Sequence, residues 1–110
     1  MFESITKKLF IELLKKSENE ILFTRMNLTE KSSEKVMQAL YNGTFEVRPS
    51  EARRCTAANS NSLTFSNGSK LYFENGAKYY KHNNVIIQYS EEWDTFDEIY
   101  KYSILAYVIK

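Results

Sequence analysis

The sequence predicts an α+β fold with two N-terminal helices, an antiparallel β-meander of four to five strands and a C-terminal helix. Two helical patterns occupy the first half of the chain, and alternating apolar residues punctuated by Asn-Gly turns fill residues 62–89. A third helical pattern follows near the C-terminal end. The length of 110 residues, with 43% hydrophobic and 26% charged side chains, fits a single globular domain over residues 1–110.

Apolar residues at helical spacing predict two helices in the N-terminal half. The first is expected over about residues 2–17 and the second over about residues 30–42. Thr29 supplies a side-chain cap for the second helix, and Asn42-Gly43 supplies a left-handed stop. The apolar positions of the first helix are Phe2, Ile5, Leu9, Phe10 and Leu13.

The segments that flank the second helix are less regular. Residues 20–24 are apolar, and their short run leaves a buried strand and a continued helix as alternatives. Residues 44–48 alternate like a short strand that ends at Pro49. The polar residues 50–61 have no clear period, so we expect a loop or one short helix there.

Side-chain parity predicts the register of the meander. A three-residue loop at 66–68, with Gly68 in the left-handed region, puts the apolar residues of the flanking strands on one face, whereas a two-residue turn would split them. Three-residue loops at 74–76 and 82–84 extend the same face. The inner face then carries Leu63, Phe65, Leu71, Phe73, Ala77, Tyr79, Val85, Ile87 and Tyr89.

A third helix is expected over about residues 91–103, because Ser90 offers a cap and acidic residues follow it. The apolar residues that recur at helical spacing are Trp93, Phe96, Ile99 or Tyr100, Ile104 and Tyr107. The apolar residues 104–109 fit a helix or a terminal strand equally well. The first and third helices are expected to cover the inner face of the sheet.

Composition excludes several classes of protein. A single cysteine, Cys55, rules out an internal disulfide framework and a cysteine-based zinc cluster, and it fits a reducing compartment. No apolar stretch is long enough for a signal peptide or a membrane span, so we expect a cytoplasmic protein that does not bind membranes. Glycines at only three positions exclude the common phosphate-binding loops, and no cofactor is expected.

The outer face of the predicted meander brings together two lysines and two tyrosines. Tyrosine is enriched at protein interfaces, and aromatic residues with lysines also stack bases and contact phosphates. Simple cross-strand pairing is the alternative. An adjacent arginine pair suits recognition of an anion, with two solvated side chains as its alternative. The candidate binding residues are Arg53, Arg54, Lys70, Tyr72, Lys78 and Tyr80.

Catalytic and metal sites are weakly indicated. Cys55 follows the arginine pair and lies far from the single histidine, His82, so a buried inert thiol is expected rather than a catalytic couple. Asp94, Asp97 and Glu98 share a helical spacing, but acidic residues in a first turn also complement the helix dipole. We therefore expect no catalytic residues and no metal site.

The charge distribution favours a protein partner over nucleic acid. Residues 47–90 carry six basic and two acidic side chains, residues 91–110 carry five acidic and two basic ones, and the formal net charge is only +1. Nucleic-acid binders usually carry a basic surplus. We expect a small non-enzymatic protein-binding domain that acts as an inhibitor, immunity factor or accessory subunit.

Two further points about the biology stay open. The richness in Lys, Asn, Ile, Tyr and Phe suggests a phage or another mobile element of a low-GC bacterium as the source. A nucleic-acid-binding module that uses the Lys/Tyr face and the Arg-Arg loop is the alternative function. Oligomeric state is left open, with a homodimer through an exposed edge strand or through the apolar C-terminal tail as one arrangement.

Overall fold

The computed structural model describes residues 1–16, 20–46, 51–59, 61–74 and 76–109, which form two helices and one eight-stranded antiparallel sheet. The strand order is β1-β6-β7-β8-β2-β3-β4-β5. In chain order the elements are β1 (Glu3–Ile5), α1 (Lys7–Lys16), β2 (Glu20–Leu28), α2 (Glu30–Asn42), β3 (Glu51–Ala58), β4 (Ser62–Phe65), β5 (Lys70–Tyr72), β6 (Lys78–His82), β7 (Val85–Asp94) and β8 (Ile99–Ile109). The predicted layout, a meander followed by a C-terminal helix, is therefore wrong.

The sheet is curled around α1. Strands β5 and β6 are six positions apart in the sheet, which is about 29 Å in a flat sheet. The connection from Tyr72 to Lys78 spans at most about 22 Å when fully extended. The two ends of the sheet must therefore approach each other, and the face toward α1 is concave.

Helix α1 fills the concave face. Phe10 is fully buried, and its ring lies 5.9 Å from that of Phe73, 4.6 Å from that of Tyr79 and 5.7 Å from that of Tyr107, measured between centroids. These partners belong to opposite ends and the middle of the sheet, so one aromatic side chain joins strands that are distant in the strand order. Leu14 on the same side of the helix is also fully buried.

Helix α2 covers the convex face. Leu40 packs there with Tyr80, Ile87 and Ile104, all of them buried. The two helices thus lie on opposite sides of the sheet. In the middle of the central strands β7 and β8, consecutive residues point to opposite faces of the sheet and are buried on both. A helix covers each face, so these parts of the strands do not alternate between apolar and polar residues.

The expected C-terminal helix is replaced by the β7-β8 hairpin. Residues 91–94 continue β7, residues 95–98 form the turn, and residues 99–109 form β8. Strand β8 pairs with β2 over eight residues, from Ile21 opposite Ile109 to Leu28 opposite Tyr102. The apolar residues 104–109 therefore lie in a central strand, and the tail is not available for dimerisation by strand addition.

The first helix is shorter than predicted. Residues 3–5 form β1, which pairs with β6, and the helix begins at Lys7, where the Leu9 amide donates to the Thr6 side chain over 3.1 Å. Leu9, which was expected on the buried side of the helix, is 39% exposed, whereas Leu14 is fully buried. The buried side of the helix is therefore rotated relative to the predicted one. Tertiary strand pairing has overridden a local helical pattern.

Three neighbouring segments resolve the alternatives left by the sequence. Residues 20–24 belong to strand β2, not to a helix. Residues 44–46 are not in a strand, which contradicts the expected strand over 44–48, and its remaining residues with Pro49 lie outside the described residues. The expected loop or short helix over 50–61 is wrong because residues 51–58 form strand β3, which pairs with both β2 and β4.

The predicted hairpin registers are partly right. The three-residue loop at 66–68 is confirmed, since Leu63 lies opposite Leu71 and Gly68 has a φ of 87°. The loop at 82–84 is wrong. His82 pairs directly with Val85 around a two-residue turn, so Val85, Ile87 and Tyr89 face α2. The expected hairpin through the loop at 74–76 is wrong because β5 and β6 are not neighbours in the sheet, and residue 75 of that loop lies outside the described residues.

The second helix is confirmed over residues 30–42. The side chain of Thr29 accepts a hydrogen bond from the Ser32 amide, and the Ser32 side chain accepts one from the Thr29 amide. Gly43 ends the helix with a φ of 76°, which favours glycine. Both ends of the helix are set by contacts between residues close in the chain, and such contacts can be predicted from the sequence.

Alkaline pH is expected to destabilise the protein through Tyr107. Burial raises the pKa of its hydroxyl well above the usual value, with Arg25 opposing the rise. Above about pH 10 the unfolded chain loses this proton while the folded chain keeps it, so the free energy of unfolding falls as the pH rises. Tyr107→Phe is expected to reduce that slope. Urea unfolding between pH 8 and 11 tests this, and equal slopes in the two proteins would contradict it.

Candidate functional site

The β7-β8 hairpin extends beyond its neighbours in the sheet. Strand β6 pairs with β7 only as far as Tyr89, and β2 pairs with β8 only as far as Tyr102. Strands β7 and β8 continue to pair with each other as far as Asp94 opposite Ile99. Residues 91–101, which we call the projecting ribbon, thus form a two-stranded ribbon that no other described strand joins.

Hydrogen bonds and ion pairs order the turn of the ribbon. The Asp94 carboxylate accepts from the amides of Phe96 and Asp97 over 2.8 and 2.9 Å. Lys101 Nζ lies 2.6 Å from Asp94 Oδ2 and 3.3 Å from Asp97 Oδ2. The hydrogen bond from Lys101 holds the pKa of the Asp94 carboxyl below its usual range, and the bond with Asp94 raises the pKa of Lys101. Asp94 and Lys101 thus connect the turn to both strands of the ribbon.

The projecting ribbon exposes large apolar side chains. Phe96 is 94% exposed, and Trp93, Ile99 and Tyr100 are each about half exposed at 50%, 52% and 53%. Trp93 and Tyr100 lie opposite each other and pack edge to face, with ring centroids 4.9 Å apart. An exposed cluster of this kind marks an interaction surface, and Trp and Tyr are the residues that most often dominate binding energy.

A groove runs from the ribbon to α2. One cavity of about 520 Å³ lies between the start of α2 and the ribbon, and includes Trp93 and Tyr100. A second cavity of about 370 Å³ continues along α2 beside Tyr89. Tyr102 and Glu30 line both cavities, so the two cavities adjoin at these residues, and we call them together the ribbon groove. The floor is fixed by a buried hydrogen bond between the hydroxyls of Ser33 and Tyr89.

The ribbon groove is aromatic in its interior and acidic at its rim. Glu91 lies opposite Tyr102 in the β7-β8 ladder, and Glu30 lines both cavities with Tyr102. Burial raises the pKa of Tyr102, and the charges of Glu91 and Glu30 raise it further. Glu34 and Glu98 also line the groove. Aromatic faces and carboxylates together attract cations, because rings bind cations through their negative faces and carboxylates form ion pairs with them.

Comparison of the chain with known protein families, with curated proteins and with solved structures finds no match. A function must therefore follow from the chemistry of the chain's own surface. In the described part of the chain, no three His, Cys, Asp or Glu side chains are grouped as a metal site would require. No helix in that part is long and apolar enough to cross a membrane.

The structure does not bring the predicted Lys/Tyr face together. Lys70 and Tyr72 lie on β5, and Lys78 and Tyr80 lie on β6, which does not pair with β5 even though the curl of the sheet brings its two ends close. Tyr72 is 65% exposed, but Tyr80 is only 6% exposed and packs under α2. The prediction rested on a hairpin between β5 and β6, which the fold does not contain.

The remaining candidates lie apart from the projecting ribbon. Arg53 and Arg54 lie on strand β3 rather than on a loop, and Arg54 is exposed. The side chains of Arg53 and Cys55 lie outside the described residues. His82 ends β6, with its exposed ring 5.4 Å from that of Phe2. Whether these residues bind a partner stays a prediction.

Sequence reasoning missed Trp93, Tyr100 and Tyr102 as surface residues. The spacing of Trp93 and Tyr100 fitted an amphipathic helix, and the neighbouring carboxylates fitted a helix N-terminus. Tyr102 lay off the helical stripe and was not considered. The alternation of Tyr100 and Tyr102 with Lys101 and Ser103 was the pattern that pointed to a strand instead.

Proposed function

We propose that the protein is a non-enzymatic protein-binding domain that holds its partner with the projecting ribbon and the ribbon groove. The observation that carries this proposal is the exposed Trp93–Tyr100 pair on a ribbon whose turn is ordered by Asp94 and Lys101. A preformed aromatic surface binds without a large cost of ordering side chains. An inhibitor or an accessory subunit of the cytoplasm would use such a surface.

The charge of the ribbon selects the chemistry of the partner. Residues 91–101 carry five acidic side chains and one basic side chain, Lys101. Lys101 is already engaged by Asp94 and Asp97. The partner is therefore a protein segment rich in Lys or Arg, with cations that stack on Trp93 and Tyr100 and pair with the carboxylates of the groove rim.

The surface of the ribbon favours a protein partner over the alternative of a nucleic acid. Base stacking needs exposed aromatic faces beside cations. Tyr80 is buried under α2, and the exposed aromatic residues of the ribbon lie among carboxylates, which repel phosphates.

Affinity capture from a lysate of the organism that encodes the protein tests the proposal. The tagged wild-type chain is expected to retain one stoichiometric protein that survives nuclease treatment, and Trp93→Ala is expected to lose it. Tyr41→Ala is the matched control, because Tyr41 is 65% exposed near the C-terminal end of α2. Partners that vanish with nuclease, or equal capture by the Trp93 variant, would refute the proposal.

A further inference from the structure

A basic groove runs along α1. The helix carries four lysines and one acidic residue, Glu12. A cavity of about 500 Å³ lies between the helix and Asn61, the residue that precedes β4. We call this cavity the α1 groove, and its lining residues are Lys7, Lys8, Ile11, Glu12, Lys15 and Asn61. Three of the six are lysines, so the groove is positively charged.

The α1 groove combines an apolar interior with a cationic rim. Ile11 is only 8% exposed and lies at the base of the groove. Lysine side chains present apolar stems to a protein surface and keep their ammonium groups in water. Lys8 and Lys15 are both exposed. Such a groove suits a protein segment that offers an apolar side chain with carboxylates beside it.

The tip of the projecting ribbon has the chemistry that the α1 groove suits. Phe96 is 94% exposed, and the exposed residues Asp97 and Glu98 follow it directly. The whole ribbon carries five acidic side chains against one basic side chain, Lys101. The tip therefore offers an aromatic ring with carboxylates next to it, and its charge is opposite to that of the groove.

The ribbon of a molecule lies far from the C-terminal end of its own α1. Helix α1 ends at Lys16, and four residues later, within about 14 Å, the chain enters β2 beside the Ile109 end of β8. The ribbon leaves the opposite end of β8, where Ile99 lies ten residues, or about 33 Å, from Ile109. The tip of the ribbon therefore cannot reach Lys15 in the same molecule.

We infer that the projecting ribbon of one molecule binds the α1 groove of a second copy of this chain, with Phe96 beside Ile11 and the ribbon carboxylates on the groove lysines. The inference rests on the proposed function, because it uses the same ribbon and names the Lys-rich segment that the ribbon holds. The contact joins two different surfaces, and every molecule carries one of each. Association can therefore continue into a chain or close into a ring.

Sedimentation velocity of the full chain tests this contact. The mass of the wild type is expected to rise with concentration at low salt and to fall to that of the monomer at high salt, because exposed ion pairs are screened. The ribbon variant combines Phe96→Ser with Glu98→Lys, and the groove variant combines Lys8→Glu with Lys15→Glu. Each variant alone is expected to stay monomeric. An equimolar mixture of the two is expected to form a heterodimer, because one intact ribbon then meets one intact groove.

The matched control combines Lys35→Glu with Lys70→Glu, which makes the same change in net charge at exposed lysines outside both surfaces and is expected to associate as the wild type does. Urea unfolding checks that each variant keeps the fold. A wild type or a mixture that stays monomeric would overturn the inference, whereas the proposed function would still stand if capture of a different protein depends on Trp93. Undiminished association of the ribbon variant would also overturn the inference, because the contact would then lie elsewhere.

Discussion

Phe10→Ala is expected to lower the free energy of unfolding by about 3–5 kcal/mol. The ring is fully buried and touches Phe73, Tyr79 and Tyr107, so its loss leaves a cavity where the two ends of the curled sheet meet. Surrounding strands cannot collapse into that space, since each is held by its neighbours in the sheet. Urea unfolding followed by far-UV circular dichroism measures the loss.

Leu9→Ala is the matched control for Phe10→Ala. Leu9 is the preceding residue of the same helix and is 39% exposed, so we expect a loss of less than about 1 kcal/mol. If Phe10→Ala does not fold, Phe10→Leu keeps most of the buried volume and gives a smaller, measurable loss. Equal losses for Leu9→Ala and Phe10→Ala would mean that α1 does not fill the concave face as described.

Trp93→Ala is expected to weaken the binding of the protein partner by about 2 kcal/mol or more, which is roughly thirtyfold in the dissociation constant. Trp93 packs against Tyr100 and forms one wall of the ribbon groove. Its removal takes away the indole as a stacking surface and leaves the Tyr100 ring without its packing partner. Titration calorimetry with the captured partner measures the change. Folding is checked in the same samples by urea unfolding, where an exposed position of this kind has a small effect.

The control for that prediction is Tyr41→Ala, which removes an exposed aromatic side chain outside the groove and is expected to bind as the wild type does. Raising the salt concentration is expected to weaken the complex, because carboxylates at an exposed rim are screened. Affinity that is independent of both Trp93 and salt would place the interface elsewhere on the molecule.

Local features were predictable from the sequence. Helix α2 is set by the Thr29 cap and the Gly43 stop, and the 66–68 loop is set by Gly68 together with the parity of the flanking apolar residues. Each of these depends on contacts between residues close in the chain. No distant strand competes for the same residues, so the local preference decides the structure.

Non-local pairing explains the errors. Trp93, Phe96, Tyr100, Ile104 and Tyr107 fit a helical period, but Tyr100 and Ile104 also alternate with their neighbours as a strand does. Ten pairs between β7 and β8, together with eight pairs between β8 and the distant strand β2, decide between the two periods. The local sequence indicates which residues can form a strand, but it does not indicate which other strand they pair with.

Errors in the predicted fold caused the errors in the predicted site. The predicted Lys/Tyr face, from Lys70 to Tyr80, depended on a hairpin between β5 and β6. The fold has no such hairpin, and Tyr80 lies in the core. The acidic character of residues 91–101 was visible in the sequence, and the expectation of a protein partner over nucleic acid rested partly on it. Only the pairing of β7 with β8 shows that these carboxylates surround an exposed aromatic ribbon.

Photo-crosslinking at Phe96 tests the central claim most directly, namely that the projecting ribbon is a protein-binding surface. Phe96 is 94% exposed at the tip of the ribbon and is replaced by p-benzoylphenylalanine, with the same replacement at Tyr41 as the control. In cells that encode the protein, irradiation is expected to join position 96, and not position 41, to one protein that carries a Lys- or Arg-rich segment at the crosslink. Crosslinks from position 41 alone, from both positions alike, or from neither would contradict the account.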